Sequence, residues 1–292
     1  MFDLIYRFDT SGNARIVDPV DALEARARLE AGNREFAAIT LLDEGTTNSR
    51  VVRLDASALG LADSNGLPPL QRPFAAVLGC ADARVPIELI FGQAANDLFV
   101  VRVAGNVLGA ECLGSLDYAV SNLGGSLKLI VVLGHSSCGA VGAAVEAFIH
   151  PHRYLDFATS HPLRAVIERI LVAVRAAHRA LEQIYTQDVE EIPGYRNALH
   201  ETSIIMNAAI TAATLKCEFR EALGPQLDVA YGVYDLQTRR VGLQAYGEPD
   251  VVRLVLPPSD AEEFDRLGRS IAQSEAIRAM LATPIGIVSP TR

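Results

Sequence analysis

The chain has no tryptophan, only four cysteines, and little positive charge: 26 Lys and Arg stand against 35 Asp and Glu, a net charge of −9. Nucleic acids and anionic membrane surfaces select clustered Lys and Arg, and the sequence contains no basic run, so neither is an expected partner. A small molecule is. No uncharged stretch reaches membrane-spanning length. The start, Met1 to Asp9, has an early acid and no positively charged leader, so it does not read as a secretory signal. Four cysteines in 292 residues do not make a disulfide framework, which together with the missing signal points to a reducing, cytoplasmic setting. Internal repeats and low-complexity segments are absent. Half of the residues are hydrophobic, enough for a sizeable core in one large α/β unit.

Four segments are rich in Val, Leu, Ile and Phe with little alternation: Phe74 to Gly79, Leu98 to Ala104, Leu127 to Gly134 and Leu227 to Leu236. Strands of this kind are buried on both faces, as in a parallel sheet covered by helices. Helical patterns lie between them, at Pro86 to Phe91, Cys112 to Leu123 and Gly139 to Phe148, with two longer ones at 161–185 and 198–223. Tyr231 to Leu243 reads as strand, turn at Gln237 to Arg240, and strand. The expected fold is therefore α/β, with a central parallel sheet of four strands, an antiparallel edge strand and flanking helices. Its ligands would bind at the carboxyl ends of the strands.

Outside that core, residues 1–17 alternate apolar and polar around Thr10 to Asn13, a hairpin signal. Asp18 and Pro19 open a helical arm, 18–39. Residues 40–72 read as a long loop with a short strand at Arg50 to Leu54. Ser259 and Glu262 form a capping box that opens a helical tail, 258–292. Cys112 and Cys217 sit on apolar helix patterns and are expected to be core thiols.

Two stretches carry the chemistry: Leu78-Gly-Cys-Ala-Asp-Ala-Arg84 and Leu133-Gly-His-Ser-Ser-Cys-Gly139. Each begins as a buried strand, passes through a Gly and delivers a metal-competent side chain, Cys80 in one and His135 in the other. The following helix adds Cys138, with Ser136 or Ser137 as its cap. Two thiolates and one imidazole suit Zn2+, one per subunit, and three protein ligands leave the fourth position for chemistry. Asp82, held ionised by Arg84, is placed to accept the proton of a zinc-bound hydroxide and leave a lone pair free to attack. A structural zinc would need a fourth Cys or His in these motifs, and neither supplies one. His135 and Cys138 are too close in sequence for an independently oriented nucleophile and base. The remaining histidines, His200 among them, fall on loops or helix faces suited to solvated or capping roles.

Cys80-Ala-Asp-Ala-Arg84 with His135-Ser-Ser-Cys138-Gly139 resembles the β-class carbonic anhydrase family, from the Leu29-Glu-Ala-Gly-Asn33-x-x-Phe36 helix to about Leu243. The resemblance implies one such domain over 1–292, with a catalytic core at 74–243, and reversible hydration of carbon dioxide to bicarbonate. Cys80, His135 and Cys138 would bind zinc, and Asp82 with Arg84 would be the catalytic dyad. Gln71, Phe99, Ala104, Tyr118 and Gly139 would line the substrate pocket. Gln71, Phe99 and Tyr118 would act across the interface of a homodimer, or of a tetramer or larger assembly. Some relatives hydrolyse carbonyl sulfide or carbon disulfide with the same ligands, and a non-catalytic assembly role is the other alternative. In one branch of that family a Trp three residues before the first cysteine accompanies an aspartate that swings onto the metal. Here that position is Val77, so the Asp82–Arg84 pair is expected to persist.

Overall fold

The central sheet orders its strands β4-β3-β5-β6-β7, formed by β3 (Ala75–Gly79), β4 (Leu98–Arg102), β5 (Leu129–His135), β6 (Asp228–Tyr234) and β7 (Val241–Gly242). The first four run parallel and β7 is antiparallel to β6, the arrangement expected from the sequence. The computed structural model describes residues 2–10, 17–39, 48–61, 67–155, 161–185, 188–224, 226–243 and 252–282. Before the sheet come β1 (Phe2–Asp9), α1 (Ala22–Ala38) and β2 (Asn48–Asp55). Within and after it come α2 (Ile87–Ile90), α3 (Ala110–Leu123), α4 (Gly139–Ile149), α5 (His161–Tyr185), α6 (Tyr195–Glu218), α7 (Ala261–Ala272) and α8 (Glu275–Ala282). No helix among the described residues is long and apolar enough to cross a membrane.

The near-continuous apolar strands are explained by two cores, one on each face. On β3, Ala76 and Leu78 belong to one core while Ala75 and Val77 belong to the other, and β5 divides the same way between Ile130, Val132 and Leu129, Val131, Leu133. The first core lies under α4, α5 and α6; the second is closed by α1 and α2. Burial of each such Leu, Ile or Val side chain contributes ~1.5–3 kcal/mol. Those side chains pin the register, since a one-residue slip would exchange the two faces. Gly79 pairs with Leu133 of β5 and with Arg102 of β4, so the carboxyl ends of the three strands finish at nearly one level.

The arm is docked by one buried amide. Asn33, fully buried on α1, donates from Nδ2 to Ile90 O and Arg239 O and accepts from Val241 N–H at 2.8 Å. Beside it, Gly32 lies so close to Phe91 that a Cβ there would stand 1.8 Å from the Phe91 carbonyl oxygen. A side chain cannot replace it without moving the helix.

Four expectations are corrected. The N-terminal strand is not half of a local hairpin: β1 pairs in parallel with β2, from Phe2↔Asn48 to Asp9↔Asp55, while 11–16 lie outside the described residues. Period-two alternation reports that a segment is a strand and says nothing of its partner, and the parallel partner needs the long connection that α1 provides. Accordingly, part of the 40–72 loop is an eight-residue strand, followed by a short turn of helix, Ala56–Leu59. Both arm and tail helices start later than expected, at better caps: Asp21 accepts from Glu24 N–H and Asp260 from Glu263 N–H. Ser259 serves instead as donor to Glu263. Cys217 is exposed rather than in the core, because the last turn of α6 runs out past its buried stretch, whereas Cys112 is half-buried.

Candidate metal centre

Each ligand-bearing turn grows from the end of a central strand. Gly79, whose missing Cβ leaves room for the Ile87 side chain, ends β3 and hands the chain to Cys80, which is 5% exposed. The neighbouring strand fastens this turn: Val103 N–H donates to Gly79 O and Ala81 N–H to Val103 O. The Arg102 guanidinium spans two carbonyls, donating from Nε to Cys80 O at 3.0 Å and from Nη2 to Asp82 O. Behind the thiol, Gly105 adopts φ +64 and its N–H points at Cys80 Sγ, 3.3 Å away. Asn207 of α6 holds that loop by donating to Gly105 O at 2.8 Å.

β5 ends on His135, which is fully buried. Its Nδ1 lies 3.0 Å from Ser136 O. A carbonyl only accepts, so Nδ1 carries the hydrogen, and in the neutral imidazole that leaves the lone pair on Nε2. Nε2 is buried with no hydrogen-bond partner among the described residues. Ser136 ties the turn to the next strand, its N–H donating to Tyr234 O and its Oγ accepting from Leu236 N–H, both at 2.9 Å. Ser137 then takes the left-handed conformation, φ +56. Cys138 itself occupies the N-cap of α4, without a side-chain cap, so neither serine caps that helix.

The donor atoms of Cys80, His135 and Cys138 all lie within 4.8 Å of one another, and all three residues are buried. The Cys138 S–H donates to the Cys80 sulfur, which outweighs burial and brings the Cys80 thiol down to about 4. The same bond, with burial, pushes Cys138 well above the usual thiol range. Two buried sulfurs this close favour sharing one proton over carrying two negative charges, and a cation would displace that proton. A buried imidazole lone pair converging with a thiolate and a thiol fits a zinc ion in donor type and number.

Asp82 lies beside the cluster, with Oδ2 3.9 Å from His135 Nε2. Arg84 grips the carboxylate with both edges of its guanidinium, Nε to Oδ1 at 3.0 Å and Nη2 to Oδ2 at 2.7 Å, and its backbone N–H adds a third bond to Oδ1. These bonds, against some burial, hold the Asp82 carboxyl well below the usual carboxylate range. In this structure Asp82 is paired with Arg84. A carboxylate ionised and fixed in this way is an acceptor for a hydrogen on whatever occupies the cluster.

The proposed pocket residues are less concentrated. Phe99 and Ala104 are half-buried, and Phe99 packs on the core of the α4–α6 face. Gly139, the first residue of α4, is exposed. Tyr118 on α3 is 51% exposed and Gln71 is also exposed, so a single chain leaves both facing solvent. Two residues around the ligand loop escaped the sequence reading. His200, expected in a solvated or capping role, is half-buried and donates from Nε2 to Cys138 O at 2.9 Å, at the N-cap of α4. Its neighbour Glu201 accepts from Ser137 N–H at 3.1 Å. The one signal was an adjacent His and Glu on a helix rich in Ala, Ile and Leu.

A family model described as carbonic anhydrase matches residues 75–241, which contain both ligand turns and the whole five-stranded sheet except the last residue of β7. The chain belongs to the β-class carbonic anhydrase family. Within that family it is similar to carbonic anhydrase 2 of Mycobacterium tuberculosis, with 45% identity over 117 residues, 39% of this chain and 52% of that protein. The carbonic anhydrase of Mycolicibacterium smegmatis is 38% identical over 136 residues, 45% of this chain and 63% of that protein. The chain spans about half to two thirds of the length of these curated relatives. Among solved structures, a Coccomyxa β-carbonic anhydrase in complex with acetazolamide matches with a TM-score of 0.48 and 23% identity, over 64% of this chain and 76% of that one.

Proposed function

We propose that this member of the β-carbonic anhydrase family catalyses the reversible hydration of carbon dioxide to bicarbonate and a proton, with zinc held by Cys80, His135 and Cys138. The observation that carries this reading is the juxtaposition of a buried, unpartnered His135 Nε2 and two thiols with a carboxylate that Arg84 keeps ionised. When bound, zinc would supply an acidified water as the nucleophile.

The chain's own residues do the rest. Asp82 accepts the nucleophile's hydrogen and so turns an oxygen lone pair toward the substrate carbon. Arg84 fixes the two Asp82 oxygens and keeps the carboxylate from collecting the proton itself. Phe99, Ala104, Tyr118 and Gly139 form the walls for a small linear molecule, and Gln71 hydrogen-bonds a substrate oxygen. Because Gln71 and Tyr118 face solvent in one chain, they complete the site in a homodimer or larger assembly, each subunit lending them to its partner. Free, buried Cys80 and Cys138 fit a reducing cytoplasm, where such thiols stay available to a metal.

The test combines metal analysis of the purified chain with stopped-flow hydration of carbon dioxide, and parallel assays on carbonyl sulfide and carbon disulfide. Zinc near one per chain with carbon dioxide turnover is expected. A zinc-loaded chain that turns over only the sulfur analogues would overturn the substrate, and a chain that binds no zinc would overturn the mechanism.

A further inference from the structure

The loop between the second and third proposed ligands is short and strained. His135 ends a strand and Cys138 begins a helix, and the two residues between them must reverse the chain so that both donors face the same point. Ser137 does this by taking φ +56, a conformation that costs a residue with a Cβ ~1–2 kcal/mol. Something must hold it there. Ser137 is exposed, and its N–H bond to Glu201 comes from an element 64 residues away in the chain. His200, adjacent to Glu201, reaches the carbonyl of Cys138, which also accepts the first helical bond from Gly142. The opening half of α6 thus grips the loop at two consecutive residues, one through an N–H and one through a C=O.

We infer that Glu201, with His200 beside it, is a positioning residue that sets the metal affinity of the centre by holding Ser137 left-handed, so that Cys138 points at the same place as His135 and Cys80. The inference rests on the metal reading above. The part Glu201 plays is that of an acceptor: Oε1 can receive the Ser137 N–H whether the carboxyl is ionised or not, although burial pushes its pKa up. Glutamine at this position retains a side-chain carbonyl oxygen and leucine does not.

Zinc affinity, measured by competition with a chromogenic chelator, tests this without reference to turnover. Glu201→Leu is expected to weaken zinc binding ~10–100-fold, the usual effect of losing a partner that orients a metal ligand. Glu201→Gln should stay close to the parent. Adding Ser137→Gly to Glu201→Leu should restore most of the loss, because glycine adopts the left-handed turn without a clamp. Ser137→Val, an exposed change that leaves α6 intact, should weaken binding in the same range, since a β-branched residue resists that conformation; it keeps the test decisive if Glu201→Leu fails to fold. Parental affinity in Ser137→Val or in folded Glu201→Leu, an equal loss in Glu201→Gln, or no recovery in the double variant would overturn the inference. A parent chain that binds no zinc defeats the metal reading itself, an outcome distinct from a loaded parent whose variants are unchanged.

Discussion

Cys80 and His135 are held mainly by their own sheet, whereas Cys138 depends on a helix far along the chain. Around Cys80 the fastenings are the Val103 backbone and the Arg102 guanidinium at the end of the adjacent strand β4, 22 residues from Cys80. Around Cys138 they are His200 and Glu201 of α6, 62 residues from Cys138 and 64 from Ser137 respectively. The backbone of the first turn is therefore in place once β3 and β4 pair, and α6 adds only the Asn207 bond to the Gly105 loop behind the thiol. The second is complete only when α6 has docked across the core. Long-range fastening makes the second turn the more easily loosened, at the end that carries Cys138.

The largest effects are expected at the donors themselves. Cys80→Ser, His135→Ala and Cys138→Ser should each remove zinc by more than the ~10–100-fold of outer-sphere changes, since two remaining donors cannot hold the ion. Metal analysis after dialysis reads this, and a fully loaded His135→Ala chain would sink the ligand assignment. A smaller and different effect belongs to the first turn alone. Asp82→Asn should keep the metal but lower turnover ~10²–10⁴-fold, the usual contribution of a positioned acid or base. Retention of zinc with lost stopped-flow activity separates this role from ligation.

Stability should divide the two turns again. At Gly105, behind Cys80, a new Cβ would stand 2.8 Å from Ile170 Cδ1 and 3.2 Å from Ala140 Cβ in a left-handed backbone, so Gly105→Ala should cost ~2–3 kcal/mol in urea unfolding. Ser137→Gly, left-handed but exposed, should be neutral or stabilise by up to ~1 kcal/mol. A Gly105→Ala chain as stable as the parent, or a Ser137→Gly chain clearly less stable than it, would show that the two turns do not divide in this way.

The smallest effect concerns the helix pair that supports the second turn. Glu146 of α4 pairs with Arg196 at the start of α6 and with Arg153. Burial pushes the Glu146 carboxyl up, but the two guanidinium groups outweigh it and its pKa is lowered. A depressed carboxylate contributes stability above its unfolded pKa and loses it as the pH falls through the folded one. Glu146→Gln should therefore cost up to ~1 kcal/mol at neutral pH, with both guanidiniums largely solvated, and nothing once the parent is protonated in acid. A penalty independent of pH would assign the loss to packing instead.

The layout of strands and donors was legible because it is written locally. Two apolar strands ending in Gly-Cys and Gly-His, with Cys138 three residues past His135, bring their donors to nearly the same level once the strands pair in register. Asp82 and Arg84, two residues apart in one turn, were legible for the same reason. Less legible were the parallel partner of β1, the displaced caps at Asp21 and Asp260, and the exposure of Cys217. In each case competing local signals, or a pattern common to several arrangements, left the choice to neighbours outside the segment.

By itself, then, the sequence determined a central parallel sheet and a Cys–His–Cys cluster beside an Asp–Arg pair, since hydrophobic periodicity and short spacings are properties of contiguous residues. Only the tertiary structure decided that His200 and Glu201 fasten the ligand loop, that Asn207 reaches behind Cys80, and that Asn33 locks the arm to β7. Those bonds join residues 62 to 208 positions apart, and nothing in the periodicity of either segment encodes which surface it will meet when the helices dock.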